Sequence, residues 1–234
     1  MPTVNQGLEL PTFGDYQDTT ANVRKRSRTC LLGDVSLAGR IIALATWDLN
    51  GELVRWTPVD ESGRRHGTER ELEDGRTRWQ VRWVKGVMHG LARQFSVSGK
   101  ALVTSRFISG MGVDVYCDDY GQVCETRVLA NDLRHGVELF GPPSFPIHEG
   151  HYSNGLKHGV FRDWKPGSKA CEPPAYFLNG IEVQRDVYRN ACRQGRSLPP
   201  DRRVDDQRKR AWPAALFATV KLCAQQRVML PKVG

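Results

Sequence analysis

Six histidines and six cysteines are the residues of this 234-residue chain whose chemistry could reach a metal, a proton or an electrophile. Four of the histidines precede a glycine, at His66-Gly67, His89-Gly90, His135-Gly136 and His158-Gly159. Met111-Gly112 falls in register between the second and third, so successive markers lie 23, 22, 24 and 23 residues apart. Such a period belongs to a repeat array, and it gives these imidazoles a structural role. The glycine takes a backbone conformation closed to other residues while the ring hydrogen-bonds the neighbouring turn. His148 and His151 are the pair outside the marker. A metal needs three or four converging ligands, no third is in view, and we expect both on a loop surface.

The cysteines (Cys30, Cys117, Cys124, Cys171, Cys192 and Cys223) form no Cys-x-x-Cys pair of the zinc or redox kind. Cys117 and Cys124 flank Tyr120-Gly121 and can meet across a hairpin, but a reducing compartment keeps them as thiols. The chain has no phosphate-binding glycine loop, nucleophile elbow or paired-carboxylate spacing. The expectation is a protein with no catalytic residue, no metal and no cofactor.

Two further glycine columns run in phase with the markers. Gly75, Gly99, Gly121 and Gly167 follow them; Gly63, Gly86, Gly110, Gly155 and Gly180 precede them, with Asp132 in the gap. Between the columns each unit reads as two short strands. Trp79, Val81 and Trp83 alternate with Arg78, Gln80 and Arg82 after the hairpin signal Asp74-Gly75, and Glu71 is expected opposite Arg78. Three residues before the third column stands a large apolar side chain every time: Trp83, Phe107, Leu129, Tyr152 and Phe177. Stacking brings these into one row, since such a unit cannot bury its apolar face alone.

The expected fold is therefore mostly β, an elongated single-layer antiparallel sheet of stacked β-hairpins with a C-terminal helical cap. Residues 1–29 are expected to be a poorly ordered arm, 30–182 the array of five or six units, and 183–234 a basic helical segment. Leu31 to Ser36 is the expected first edge strand, and Ile41 to Trp47 a buried one closed by Asp48 to Gly51. Gly141-Pro142-Pro143 begins a loop that breaks the fourth marked unit, because proline cannot donate to a ladder. Val183 to Cys192 has helical spacing, and Pro213 opens a helix whose Leu216, Phe217, Val220, Cys223 and Ala224 share a face.

Charge is unevenly placed. Of a net +8, residues 1–182 hold 22 basic against 22 acidic side chains, and 183–234 hold 12 against 4. Arg202, Arg203, Arg208, Lys209 and Arg210, followed by Trp212, are candidates to grip an acidic protein surface or an anionic membrane. On the hairpins the candidates are Arg78, Arg82 and Arg106. Nucleic acid is the weaker expectation, because the repeats offer no stacking platform of the usual kind. The first residues lack a basic start and an apolar core, which points to the cytoplasm.

The glycine columns, the recurring aromatic and the Asn-Gly-x-x-His-Gly of Asn154 to Gly159 resemble MORN-type repeats. More narrowly they resemble the bacterial YwqK-type repeat proteins described as antitoxin components of toxin-antitoxin pairs. The resemblance spans roughly Thr46 to Val183; Gly110 to Gly112, Asn131-Asp132 and the proline insertion depart from it. It implies an antitoxin or immunity protein that covers a cognate toxin or effector, and it maps no catalytic residue onto this chain. A peripheral membrane or scaffold module, held to anionic lipid by the basic tail, is the other reading.

Overall fold

The computed structural model describes residues 19–142, 145–195 and 197–208, with Leu216, Ala218 to Val220 and Cys223 beyond them. The protein is mostly β, a single open antiparallel sheet of 16 strands in which, within each compact unit, strands pair with their neighbours in the chain apart from one short strand off the main path. It forms two compact units, Met1–Ala101 and Leu102–Gly234.

In the first unit β1 (Thr19–Arg26), β2 (Leu31–Leu37), β3 (Arg40–Trp47) and β4 (Leu53–Pro58) precede β5 (Gly67–Glu73), β6 (Arg76–Val84) and β7 (Val87–Phe95). The sheet edge is thus β1 and not Leu31 to Ser36: part of the stretch expected to be a poorly ordered arm pairs along the whole of β2. Gly33 permits this, because a β-carbon there would lie 2.1 Å from the Asn22 carbonyl oxygen. The core is made by Val35, Ala43, Ala45, Trp47, Leu53 and Trp56, with Ala21 of β1 buried against them. Glu71 faces Trp79 and not Arg78, since a bulge between Glu71 and Leu72 shifts the register by one.

The second unit continues with β8 (Ala101–Ile108), β9 (Met111–Cys117), β10 (Val123–Ala130), β11 (Leu133–Phe140) and β12 (His148–Ser153). The short β13 (Leu156–Lys157) pairs with β12, followed by β14 (Gly159–Asp163), β15 (Ala175–Leu178), β16 (Ile181–Val183) and helix α1 (Arg185–Arg193). Val183, expected to open the helix, pairs instead with Tyr176. His148 and His151 lie on β12 opposite Phe140 and Val137, not on a loop, because the chain resumes pairing directly after the proline segment. The helical residues Leu216, Val220 and Cys223 pack on Val103, Val115, Cys117 and Leu139 and so cover a face of this unit's sheet. Tyr188 of α1 meets Tyr176 at 5.3 Å between ring centroids. Phe217 and Ala224, expected on the same face as Leu216, lie outside the described residues, as do Pro213 and residues 1–18.

Two kinds of connection occur, and they alternate from β6 onward. In the tight turns two consecutive residues have positive φ, as at Asp74-Gly75, Lys85-Gly86, Asn154-Gly155 and Asn179-Gly180, the geometry that matches strand twist. Asp132 fills its glycine column with φ 60°. The longer loops turn on an acid: Asp118 Oδ1 accepts the amides of Tyr120 and Gln122, and Asp48 Oδ1 those of Asn50 and Glu52.

Candidate functional site

Two of the marker histidines, His66 and His158, hold the turn of the neighbouring hairpin. A tight turn leaves its two central amides without partners inside the hairpin, and buried or not they must be satisfied. The amide of Lys85 donates to His66 Nδ1 at 3.3 Å and that of Gly86 to the Arg65 carbonyl at 2.8 Å. In the second unit Asn179 donates to His158 Nδ1 at 3.1 Å and Gly180 to the Lys157 carbonyl at 2.7 Å. Gly155 and Asp132 repeat the second bond on Arg134 and Gly110. The marker glycine makes room for the preceding strand: a β-carbon at Gly159 would lie 2.5 Å from His151 Cβ, and at Gly90 3.0 Å from Arg82 Cδ.

Around each marker sits a second repeated arrangement, carried by Arg-His-Gly-x-Glu at residues 65–69 and 134–138. The Arg65 guanidinium lies 4.6 Å from the Trp83 ring centroid and 3.6 Å from the buried carboxylate of Glu69. Arg134 stands 5.2 Å from the Tyr152 ring, 3.0 Å from Glu138, and donates to the Tyr152 hydroxyl at 3.2 Å. Lys157 takes the same place over Phe161 and Phe177, where Phe161 replaces the acid. Sequence reasoning found the histidine and the aromatic but missed the flanking arginine and glutamate, although the repeated pentad was there to be read.

Within the second unit the acids extend into a ladder. Arg127 faces Asp114 on one side and Glu138 on the other, and Glu125 faces Tyr116. Arg127 bonds Glu125 and stacks 5.1 Å from the Tyr116 ring. Burial pushes Asp114 up to about 6 despite Arg127, and raises Glu125 as well. In the first unit burial likewise raises Glu69 against the pull of Arg65 and Arg55.

On the face of β12 that Glu149 shares with His151, Glu149 is fully buried. It receives His151 Nε2 at 2.6 Å and Arg162 Nη1 at 3.2 Å, and Arg162 Nε donates to Asp206 at 3.0 Å. The Trp164 indole donates to the Asp206 carbonyl. His148 pairs with Asp163 at 2.7 Å. His135, His151 and His158 border one cleft of about 490 Å³ with Ser153, Ser197 and Pro199. Among the described residues no group of three His, Cys, Asp or Glu is arranged to hold a metal ion. His66 and His158 accept turn amides, His151 pairs with Glu149 and His148 with Asp163.

The candidate cations divide sharply. Arg82, Arg106 and Arg203 are exposed, and Arg78 is half-buried 3.4 Å from Glu73. Arg202 is exposed but paired with Asp205 at 3.1 Å. Arg208 is no surface residue: it is 4% exposed, donates to the Pro146 carbonyl at 2.7 Å and stacks 3.6 Å from the Phe145 ring. Its planar guanidinium suits that enclosed stacked place. Lys209, Arg210 and Trp212 lie outside the described residues. Cys117 and Cys124 form no disulfide, and burial pushes the Cys117 thiol up to about 11.

One surface feature recurs with the repeat. The residue directly after each tight turn of the second unit is a large exposed aliphatic: Met111 (56%), Leu133 (47%), Leu156 (53%) and Ile181 (69%). They pair across their turns with Ile108, Ala130, Ser153 and Leu178. In the first unit Val87 holds the same position at 36%. Isolated exposed aliphatics are ordinary, whereas these recur once per hairpin. No protein-family model matches this chain, and no curated protein matches it.

Proposed function

We propose that this is a non-catalytic repeat protein that binds another protein, an antitoxin or immunity protein that neutralises a cognate toxin or effector by covering it. The observation that carries the reading is the row Met111, Leu133, Leu156 and Ile181, one exposed aliphatic per hairpin. The charged side chains that would attract attention as chemistry are engaged with one another. Arg127 and Arg134 serve Glu125 and Glu138, and Arg162 serves Glu149 and Asp206. Such networks rigidify a body.

The reading in which the basic tail holds anionic lipid draws less support, since Arg202 is paired with Asp205 and Arg208 is enclosed. No described helix is long and apolar enough to cross a membrane. The test is co-expression with the protein encoded beside it in the genome. Restored growth of cells otherwise poisoned by that neighbour, together with a stoichiometric complex on gel filtration, is the expected result. A neighbour that is harmless, or harmful and unrelieved, contradicts the reading.

A further inference from the structure

We propose that His66 and His158 are proton-sensitive joints, each holding the turn of the neighbouring hairpin only while its imidazole is neutral. The inference concerns the scaffold and stands apart from what the protein binds. It follows from the identity of the donor. The Lys85 amide meets Nδ1 of His66 at 3.3 Å, and the Asn179 amide meets Nδ1 of His158 at 3.1 Å. A backbone N–H only donates, so Nδ1 must offer its lone pair, and the proton of the neutral ring sits on Nε2. A proton added to the ring goes to that same lone pair, and two donors then face each other. The bond is therefore present while the imidazole is neutral. It is lost as pH falls through the range, about 8 down to about 5, in which imidazole gains its charge.

Each of these turns is fastened to the neighbouring hairpin by two bonds, and acid reaches only one of them. The second central amide, Gly86 or Gly180, donates to the carbonyl of Arg65 or Lys157 at 2.8 or 2.7 Å. A carbonyl does not titrate in this range. Protonation thus strips the acceptor from the first amide of the turn and leaves the second fastened. The repeat supplies its own comparison at Met111, which stands in the marker register. The turn that follows it, Asn131-Asp132, keeps the bond from the Asp132 amide to the Gly110 carbonyl at 3.0 Å. Sensitivity to acid is then a property of the histidine and not of the hairpin stack.

Protons reach both rings. His66 is exposed, and His158 is half-buried on the border of the cleft of about 490 Å³. The charged groups around His66 are Arg64, held by Asp60, Arg65, held by Glu69, and Lys85 itself. Around His158 they are Lys157, which lies over Phe161 and Phe177, and Glu182, exposed on β16. His135 and His151 share the cleft with His158, and His151 is engaged by Glu149. A charge gained by either ring adds to a cation beside it in the chain, Arg65 at the first joint and Lys157 at the second.

The experiment is NMR on the full chain. Long-range nitrogen–proton correlation at about pH 8 should show His66 and His158 with the proton on Nε2. Amide exchange, corrected for its intrinsic dependence on pH, should then lose protection at Lys85 and Asn179 between about pH 8 and about pH 5. The expected loss is about fivefold, the weight of one ordinary hydrogen bond, with Gly180 and Asp132 changing less. In His66→Asn and His158→Asn the amide oxygen takes the place of Nδ1 as an acceptor that does not titrate. Each substitution should keep its turn protected at both pH values. The proposal is overturned if the neutral rings carry their proton on Nδ1, or if protection at Lys85 and Asn179 does not change. It is equally overturned if Gly180 and Asp132 lose as much protection as they do, or if the asparagine variants keep the dependence on pH. The first two readings need no variant, so a substitution that fails to fold leaves the test standing.

Discussion

The two units use the same hairpin but finish their cores differently. The first buries Trp47 and Trp56 completely among the alanines and valines of its own strands. In the second, the cluster of Val103, Val115, Cys117 and Leu139 is completed by Leu216, Val220 and Cys223 from the C-terminal segment. A hairpin stack leaves two faces to cover, and in the second unit one of them is covered by the C-terminal segment. The segment from residue 201 onward is thus part of the second unit's fold, not an appendage to it.

The sharpest way to break this contrast is to delete residues 201–234. Beyond the three core residues, the deletion removes Asp201, which accepts from Arg185, Arg189 and the Tyr176 hydroxyl. It also removes Asp206, the partner of Arg162. The expected outcome is loss of cooperative unfolding in the second unit while the first keeps its protection, measured by hydrogen exchange resolved to peptides. Uniform protection in the truncated chain would mean that the segment covers nothing.

Next in size is a cavity in the row of large side chains. Phe107→Ala in the second unit and Trp83→Ala in the first should each cost about 3–5 kcal/mol in chemical denaturation. Both side chains are buried. A near-neutral result in either unit would place the row outside that unit's core.

Acidity should distinguish the units less strongly. Asp114 is raised in the folded state from 3.8 to about 6. A carboxyl raised on folding leaves its full contribution intact below about 4, and stability falls as pH rises through 4 to 6 while the unfolded chain releases its proton first. Asp114→Asn should therefore gain on the unsubstituted protein over that window, by a margin on the order of 2 kcal/mol at pH 7. A stability difference that does not change between pH 4 and 7 would show Asp114 charged in the fold.

The smallest effect is at a turn of the first unit. Ala38 holds φ 50° and is exposed, a conformation that costs an ordinary residue about 1 kcal/mol and asparagine less. Ala38→Asn should raise stability by several tenths of a kcal/mol, whereas Asn179→Ala in the second unit should lower it by a similar amount.

How much of this was legible in the sequence follows from the range of the forces involved. Turn chemistry is local, so Asp74-Gly75, Asn154-Gly155 and even Asp132 announced their positive φ. Hairpin strands such as Ala101–Ile108 were recognisable from their place in the repeat. Edge strand β1 was not, because Thr19–Arg26 is polar and its pairing depends on the space beside Gly33. The register of Glu71 was lost to a bulge that one residue decides. Arg208 read as a surface cation because nothing local says that Phe145 and the Pro146 carbonyl, some sixty residues earlier, enclose it. The exposed row was hidden for the opposite reason: Met111, Leu133, Leu156 and Ile181 look like core residues until the turn that precedes each is built.

The central claim is that the hairpin ends of the second unit, not the basic tail, hold a protein partner. The most direct measurement is hydrogen exchange of the full chain alone and in complex with the protein encoded beside it. Slowed exchange at residues 108–111, 130–133, 153–156 and 178–181 is the predicted footprint. Protection confined to residues 201–234, with those four turns unchanged, would contradict it.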